Sequence, residues 1–325
     1  MYNSCCEGRG FSFSSNEELR KAVDEFRSDA VAATDKYGLM NCWDVGRITD
    51  MSYLFYSESA YGREFIDTMN EPIYCWDVSN VTNMCAMFAY ASSFNQPMNR
   101  WNTSSLTNMG YMFLGAENFN QSLDSWNTSK VTNMTGIFYE AISFNQPLEK
   151  WDTSKVTKMT ETFYNATSFN QPLNRWDISS VDDLSSMFYG ASNFNHPLDG
   201  WNVSKVIVMS SLFCRATSFD QPLDSWDVRS ATDMSFMFCD AFSFNQPLDK
   251  WNISSVIDMK NMFYGASSFN QNLCDWYHMN HLAVVIDMFS DTNCTDEADP
   301  NFVTKKSFCS YCNATVSFQE IFSFL

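Results

Sequence analysis

The stretch Trp76–Arg100, WDVSNVTNMCAMFAYASSFNQPMNR, decides the fold, because its key residues return in the same order along most of the chain. Trp76 is followed by Trp101, Trp126, Trp151, Trp176, Trp201, Trp226, Trp251 and Trp276, each 25 residues after the last. Trp43 stands 33 residues before Trp76, so the first unit carries an eight-residue insertion within Ser57–Tyr74. A fixed period of roughly 20–50 residues marks a repeat array, in which one unit cannot bury its apolar face alone and stacked units bury a continuous core.

With Trp as position 1, the inward side chains fall into columns. Position 13 is Phe in all ten units, from Phe55 to Phe263, with Phe289 displaced by one inserted residue. Position 9 is Met or another aliphatic residue (Met84, Met109, Leu184), position 16 is Ala from Ala91 to Ala266, position 19 is Phe from Phe94 to Phe269, and position 23 is Leu or Met. Positions 9, 12, 13 and 16 lie three and four apart, which predicts a short helical segment capped by the Ser of position 4, as in Ser79 and Ser104. Positions 1 and 3 alternate around a polar position 2, as in Trp101-Asn102-Thr103, which predicts a very short strand. Pro at position 22 turns the chain between them. The expected fold is an α/β repeat solenoid of about ten 25-residue coils, each with a short strand and a short helical segment. Asn recurs at position 20, from Asn95 to Asn270 with Asp220 as the exception, and is expected to form a ladder that satisfies turn backbone groups between coils.

The ends depart from the repeat. Residues 1–15 read as a tail. The segment 16–40 reads as a helical cap: Ser15 or Asn16 starts it, Leu19, Val23, Phe26 and Ala30 form its apolar face, and Gly38 stops it. The coils occupy 41–291, and 292–325 reads as a C-terminal cap or tail.

Composition excludes several classes of function. Lys plus Arg is 20 against 38 for Asp plus Glu, so a net charge of −18 repels a phosphate backbone and argues against nucleic acid as a partner. No apolar stretch approaches the ~20 residues of a membrane-spanning helix. The sequence has no G-x-S-x-G, no glycine-rich phosphate loop and only three His, so no catalytic constellation is visible and no cofactor is expected. Cys274, His278 and His281 have a loosely metal-like spacing without a fourth ligand, and Cys309-Ser310-Tyr311-Cys312 is a CxxC without a thioredoxin-like context or a second pair. No metal site is assigned. Met1–Gly10 lacks the apolar core of a signal peptide. Asn-X-Ser/Thr acceptors are plentiful, and several follow from W-N-x-S in the repeat itself.

The pattern W-D-x-S-x-V-T-x-M-x-x-M-F-x-x-A-x-x-F-N-Q-P-L, over about Asn41 to Asp291, resembles the 25-residue repeats of a surface-lipoprotein family abundant in mycoplasmas and found in some algae. Those repeats are similar in turn to the leucine-rich repeats of bacterial BspA-like surface proteins. Asn16-Glu17-Glu18-Leu19 through Tyr37-Gly38 also resembles the helical segment that precedes the repeats in algal members. The last unit, Trp276-Tyr277-His278-Met279, departs from the pattern by losing its Ser and its Val-Thr pair. The resemblance implies a leucine-rich-repeat-like solenoid, a cell-surface or extracellular location, and a role in surface interaction or adhesion.

The expected function is therefore a non-enzymatic interaction or adhesion scaffold with a protein or polysaccharide partner. The alternative is a carbohydrate- or cation-binding module. Strand geometry points positions 25 and 2 outward. Position 2 supplies a fixed polar column of Asp77, Asn102, Asn127, Asp152, Asp177, Asn202, Asp227 and Asn252, and position 25 a variable one with Arg100, Lys150, Arg175 and Lys250. The basic residues are the expected specific contacts. Cys42 and Cys75 both precede a repeat Trp, and Cys214 and Cys239 share position 14, so each pair is a candidate disulfide between neighbouring coils.

Overall fold

The computed structural model describes residues 10–56, 69–278, 283–301 and 308–310. Two α-helices open it, α1 (Asn16–Ser28) and α2 (Ala30–Tyr37). Ser15 caps α1 by accepting from the Glu18 N–H, while Glu18 accepts from the N–H and hydroxyl of Ser14. The single helix expected to run to Gly38 is broken at Asp29, whose carboxylate caps α2 through the N–H groups of Val31 and Ala32. The break redirects the apolar face: Leu19, Ala22 and Val23 are buried and Phe26 packs against the core, but Ala30 is exposed. Gly38, at φ +79°, ends α2 in a conformation that suits glycine.

The expected α/β solenoid is not what forms. Among the described residues the coils contain no β-strand and no α-helix; they are runs of turns joined by isolated parallel β-bridges at position 8, such as Asn83↔Asn108 and Asn108↔Asn133. The coil from Trp126 to Lys150 shows why. The N–H groups of Met134, Gly136, Phe138 and Glu140 donate to the carbonyls of Lys158, Thr160, Thr162 and Tyr164 in the next coil, at 2.6–2.9 Å. The alternate N–H groups of Ile137, Tyr139 and Ala141 turn back three residues, to Met134, Gly136 and Phe138. Gly136 and Glu140 take left-handed φ of +55° and +54°. Positions 11 and 15 do the same elsewhere, as at Tyr111, Glu161, Asn165, Ser211 and Arg215. A left-handed residue every fourth position prevents an α-helix, while positions 9, 12, 13 and 16 still point inward. Each left-handed non-glycine residue costs about 1–3 kcal/mol. Four inter-coil hydrogen bonds per unit, at about 1 kcal/mol each, together with the burial they permit, offset that strain.

The expected strand at positions 1–3 fails for a separate reason. The Trp126 N–H turns back to Leu123, and the Asn127 N–H is taken by the Thr103 hydroxyl of the preceding coil at 2.8 Å, so no backbone ladder runs there. Buried Thr103, Thr128 and Thr153 each donate to the position-2 carbonyl of the next coil at 3.0–3.1 Å.

The core is three stacked aromatic columns. Position-13 rings, from Phe55 to Phe289, sit 5.3–5.8 Å apart. Position-19 rings repeat at 6.0–6.1 Å and lie 3.9–4.2 Å from the position-13 ring of their own coil. Trp rings stack along the third column, as in Trp101–Trp126 at 6.0 Å and Trp226–Trp251 at 6.4 Å. The Asn ladder forms as expected: Oδ1 of Asn95, Asn120 and Asn145 accepts from the N–H of Asn120, Asn145 and Asn170 and from the following Gln side chain.

Both ends of the stack are closed by the chain. Asn16 Oδ1 accepts from the N–H groups of Thr49 and Asp50, replacing the carbonyl that a preceding coil would present, and Arg27 donates to the Tyr56 carbonyl at 2.8 Å. At the other end Met288 N–H donates to Asp299, Leu273 N–H to the Phe308 carbonyl, and Cys294 is bonded to Cys309.

Candidate functional site

Positions 24, 25 and 2 flank the buried Trp column and form one polar edge of the stack. Among the described residues position 2 is exposed from Asp77 to Asn252 except at half-buried Asp227, and Asp44 of the first coil is also half-buried. Its side chain has a local task. Oδ1 accepts from the N–H two residues on, at 2.9–3.3 Å, in Asp77, Asn102, Asn127, Asp152, Asp177, Asn202, Asp227 and Asn252. Asp and Asn serve this Asx turn equally, which is why the column alternates between them. The Ser154 hydroxyl and then the Ser154 N–H hold the Asp152 carboxyl below its usual range. Arg229 does the same for Asp227 through a side-chain hydrogen bond at 2.7–2.8 Å.

Position 25 reaches the preceding coil. Lys150 pairs with Asp124, and Lys250 pairs with Asp224 at 2.9 Å. Ser125 and Ser225 donate to the carbonyls of Asn99 and Asp199. Arg100 lies over the Tyr74 ring at 5.7 Å. Arg175 makes no ion pair among the described residues. All four cations are exposed. Sequence reasoning missed the acidic partners at position 24, although Asp124 and Asp224 stand a constant 26 residues before their lysines. Exposed pairs of this kind contribute roughly 0–1 kcal/mol each, so the lysines stay available to a competing partner. Chemically the edge offers carboxylates, amide groups and cations in fixed rows at coil spacing.

The candidate cysteines are placed as follows. Cys42 and Cys75 are each disulfide-bonded but not to one another, so the expected bridge between them does not form, and Asn41 accepts from the Cys75 N–H at 3.1 Å. Cys214 and Cys239 are buried free thiols on adjacent coils. The neighbouring Cys239 thiol, then burial, pushes the Cys214 thiol up. His281, Cys312 and the His278 side chain lie outside the described residues.

Fold and edge together define a protein made from one turn-built 25-residue unit, repeated about ten times. The chain belongs to the family described as Mycoplasma protein of unknown function, DUF285, whose model matches residues 17–131, 63–171, 119–211 and 197–300 in overlapping stretches. A comparison with curated proteins gave no match. The mycoplasma-type repeat is thus shown. The leucine-rich-repeat likeness is corrected, because the strand that defines such a repeat is missing from the described coils, and nothing supports a BspA-like or adhesive character. Among the described residues no helix is long and apolar enough to cross a membrane.

Proposed function

We propose that the protein is a non-enzymatic interaction scaffold whose contact surface is the polar edge at positions 25 and 2. One observation carries this reading. The position-2 column is held rigid by its Asx turns, while position 25 beside it varies from coil to coil and presents exposed cations at Arg100, Lys150, Arg175 and Lys250. A constant frame next to a variable row is how stacked repeats present an extended, specific surface. The cations favour an acidic protein partner, because Lys150 and Lys250 already hold carboxylates that such a partner can replace.

The test is affinity capture from native cells with the parent and with a variant in which Arg100, Lys150, Arg175 and Lys250 are all Ser. The reading expects a partner recovered by the parent and lost by the variant, with elution of that partner as salt rises. The same partners at the same yield from both proteins would refute it.

A further inference from the structure

We propose that Asn102, Asn127, Asn202 and Asn252 are acceptors for asparagine-linked glycans. Each opens an Asn-X-Ser sequence, ending at Ser104, Ser129, Ser204 and Ser254. The sequence alone does not separate these four from its other acceptor-type sites, but the fold gives them one shared geometry. All four side chains are exposed, and each Asx turn uses only Oδ1, accepting the serine N–H at 3.1–3.2 Å. Among the described residues nothing accepts from their Nδ2. The fold has no need of that nitrogen at position 2, since Asp77 and Asp177 make the same turn without one.

Two of the other sites are consumed by the fold. Nδ2 of Asn80 donates to the Gly46 carbonyl at 2.8 Å. Asn120 is half-buried in the position-20 ladder, where its oxygen holds the next coil. A glycan on Asn120 would push neighbouring coils apart; a glycan at position 2 projects from the edge.

A second observation agrees with such a modification. Cys42, Cys75, Cys274, Cys294 and Cys309 are all disulfide-bonded, a state favoured in oxidising compartments, of which the secretory lumen is one. The reaction needs no oxidant or reductant. Nδ2 attacks C1 of the reducing-end sugar on a lipid-pyrophosphate oligosaccharide. The N–C1 bond forms, the C1–O bond to pyrophosphate breaks, one amide proton leaves, and the lipid pyrophosphate departs under a membrane-bound transferase.

The pattern also bears on the binding edge, a consequence that rests on the function proposed above. Asp152 and Asp177 occupy position 2 in the two coils between Asn127 and Asn202. Glycans on either side would therefore flank the part of the edge that carries Lys150 and Arg175.

The test is peptide mass spectrometry of the protein recovered from its native cells, after glycan release by peptide-N-glycosidase in ¹⁸O water. The expected result is ¹⁸O-labelled aspartate at the four position-2 sites and none at Asn80 or Asn120. Unlabelled position-2 sites, or label at Asn120, would overturn the proposal. The variant Asn102→Asp/Asn127→Asp/Asn202→Asp/Asn252→Asp keeps the turn seen at Asp177 and should lose the glycan mass with an unchanged melting temperature. A variant that retains the full glycan mass would equally refute the assignment. These readouts involve no partner, so they stand or fall independently of the capture experiment.

Discussion

The indole Nε1–H of Trp151 donates to the carbonyl of Leu123 at 3.0 Å, and the same carbonyl accepts the N–H of Trp126 at 3.0 Å. Leu123 thus ties its own turn to a ring that heads the coil after next. The contact repeats from Trp76 to Trp276, so the position-1 residue has both an apolar and a polar role. That dual role explains why this column is Trp while positions 13 and 19 are Phe.

Trp151→Phe should therefore cost more than its lost area. The inter-coil hydrogen bond contributes about 1 kcal/mol, and the Leu123 carbonyl keeps the Trp126 N–H, so no orphan penalty is added. Urea unfolding should show a loss of about 1–2 kcal/mol once the smaller ring is included. An unchanged midpoint would mean that the indole bond contributes nothing.

Gly136→Ala should be more damaging than a glycine-to-alanine change usually is. Gly136 sits at φ +55°, and a Cβ there would run into the Tyr111 ring, which crosses Gly136 to donate to Glu161 at 2.9 Å. The backbone strain alone is worth about 1–2 kcal/mol. Adding Tyr111→Ala should recover the steric component and leave the conformational one. A double variant no more stable than Gly136→Ala alone would contradict this packing.

Asp182→Thr should stabilise the protein. Position 7 is Thr in most coils and donates through both N–H and hydroxyl to the coil before, as Thr157 does to Thr132. Asp182 holds this position with a side chain that has no hydroxyl to donate, and the bridge column is interrupted between Lys158 and Asp183. Restoring Thr should add about 1 kcal/mol and slow amide exchange at Met159. Unchanged exchange at Met159 would show that Asp182 is not the cause of the gap.

Acid should weaken the Asx turns that use Asp. The depressed folded-state value of Asp152 means that its contribution is present above the ordinary value of 3.8 and is lost as pH falls through the folded value. Asp152→Asn, in protein made in a bacterial host, should keep the neutral-pH melting temperature, because Asn127 makes the same turn. It should also flatten the acid limb of the stability curve. An identical acid limb would remove Asp152 from the account.

The period, the aromatic columns and the Asn ladder were legible because each rests on one residue type repeated in register. The local structure was not. Inward residues three and four apart satisfy both a helix and a chain of turns with every fourth residue left-handed. The distinguishing signal was present in weak form: Gly115, Gly136, Gly190 and Gly265 fall on the two left-handed positions, but Glu140, Glu161 and Arg215 fill them elsewhere and hide the pattern. The strand at positions 1–3 was misread because alternation fixes which side chains point inward and says nothing of whether backbone or Thr103 serves the N–H of Asn127. On the polar edge the outward residues could be read from the pattern. Their commitments, an Asx turn for Asp152 and a pairing with Asp124 for Lys150, depend on contacts that no single-chain pattern displays.

The central claim is that the backbone of each coil bonds forward to the next coil instead of back into a helix. The direct measurement is the through-hydrogen-bond scalar coupling between amide nitrogen and carbonyl carbon, recorded by NMR on the isotopically labelled protein. The turn ladder predicts a coupling from the Phe138 nitrogen to the Thr162 carbonyl carbon, matching the 2.9 Å contact between them. A coupling from the Phe138 nitrogen to the Met134 carbonyl carbon, the partner that an α-helix would supply, would contradict it.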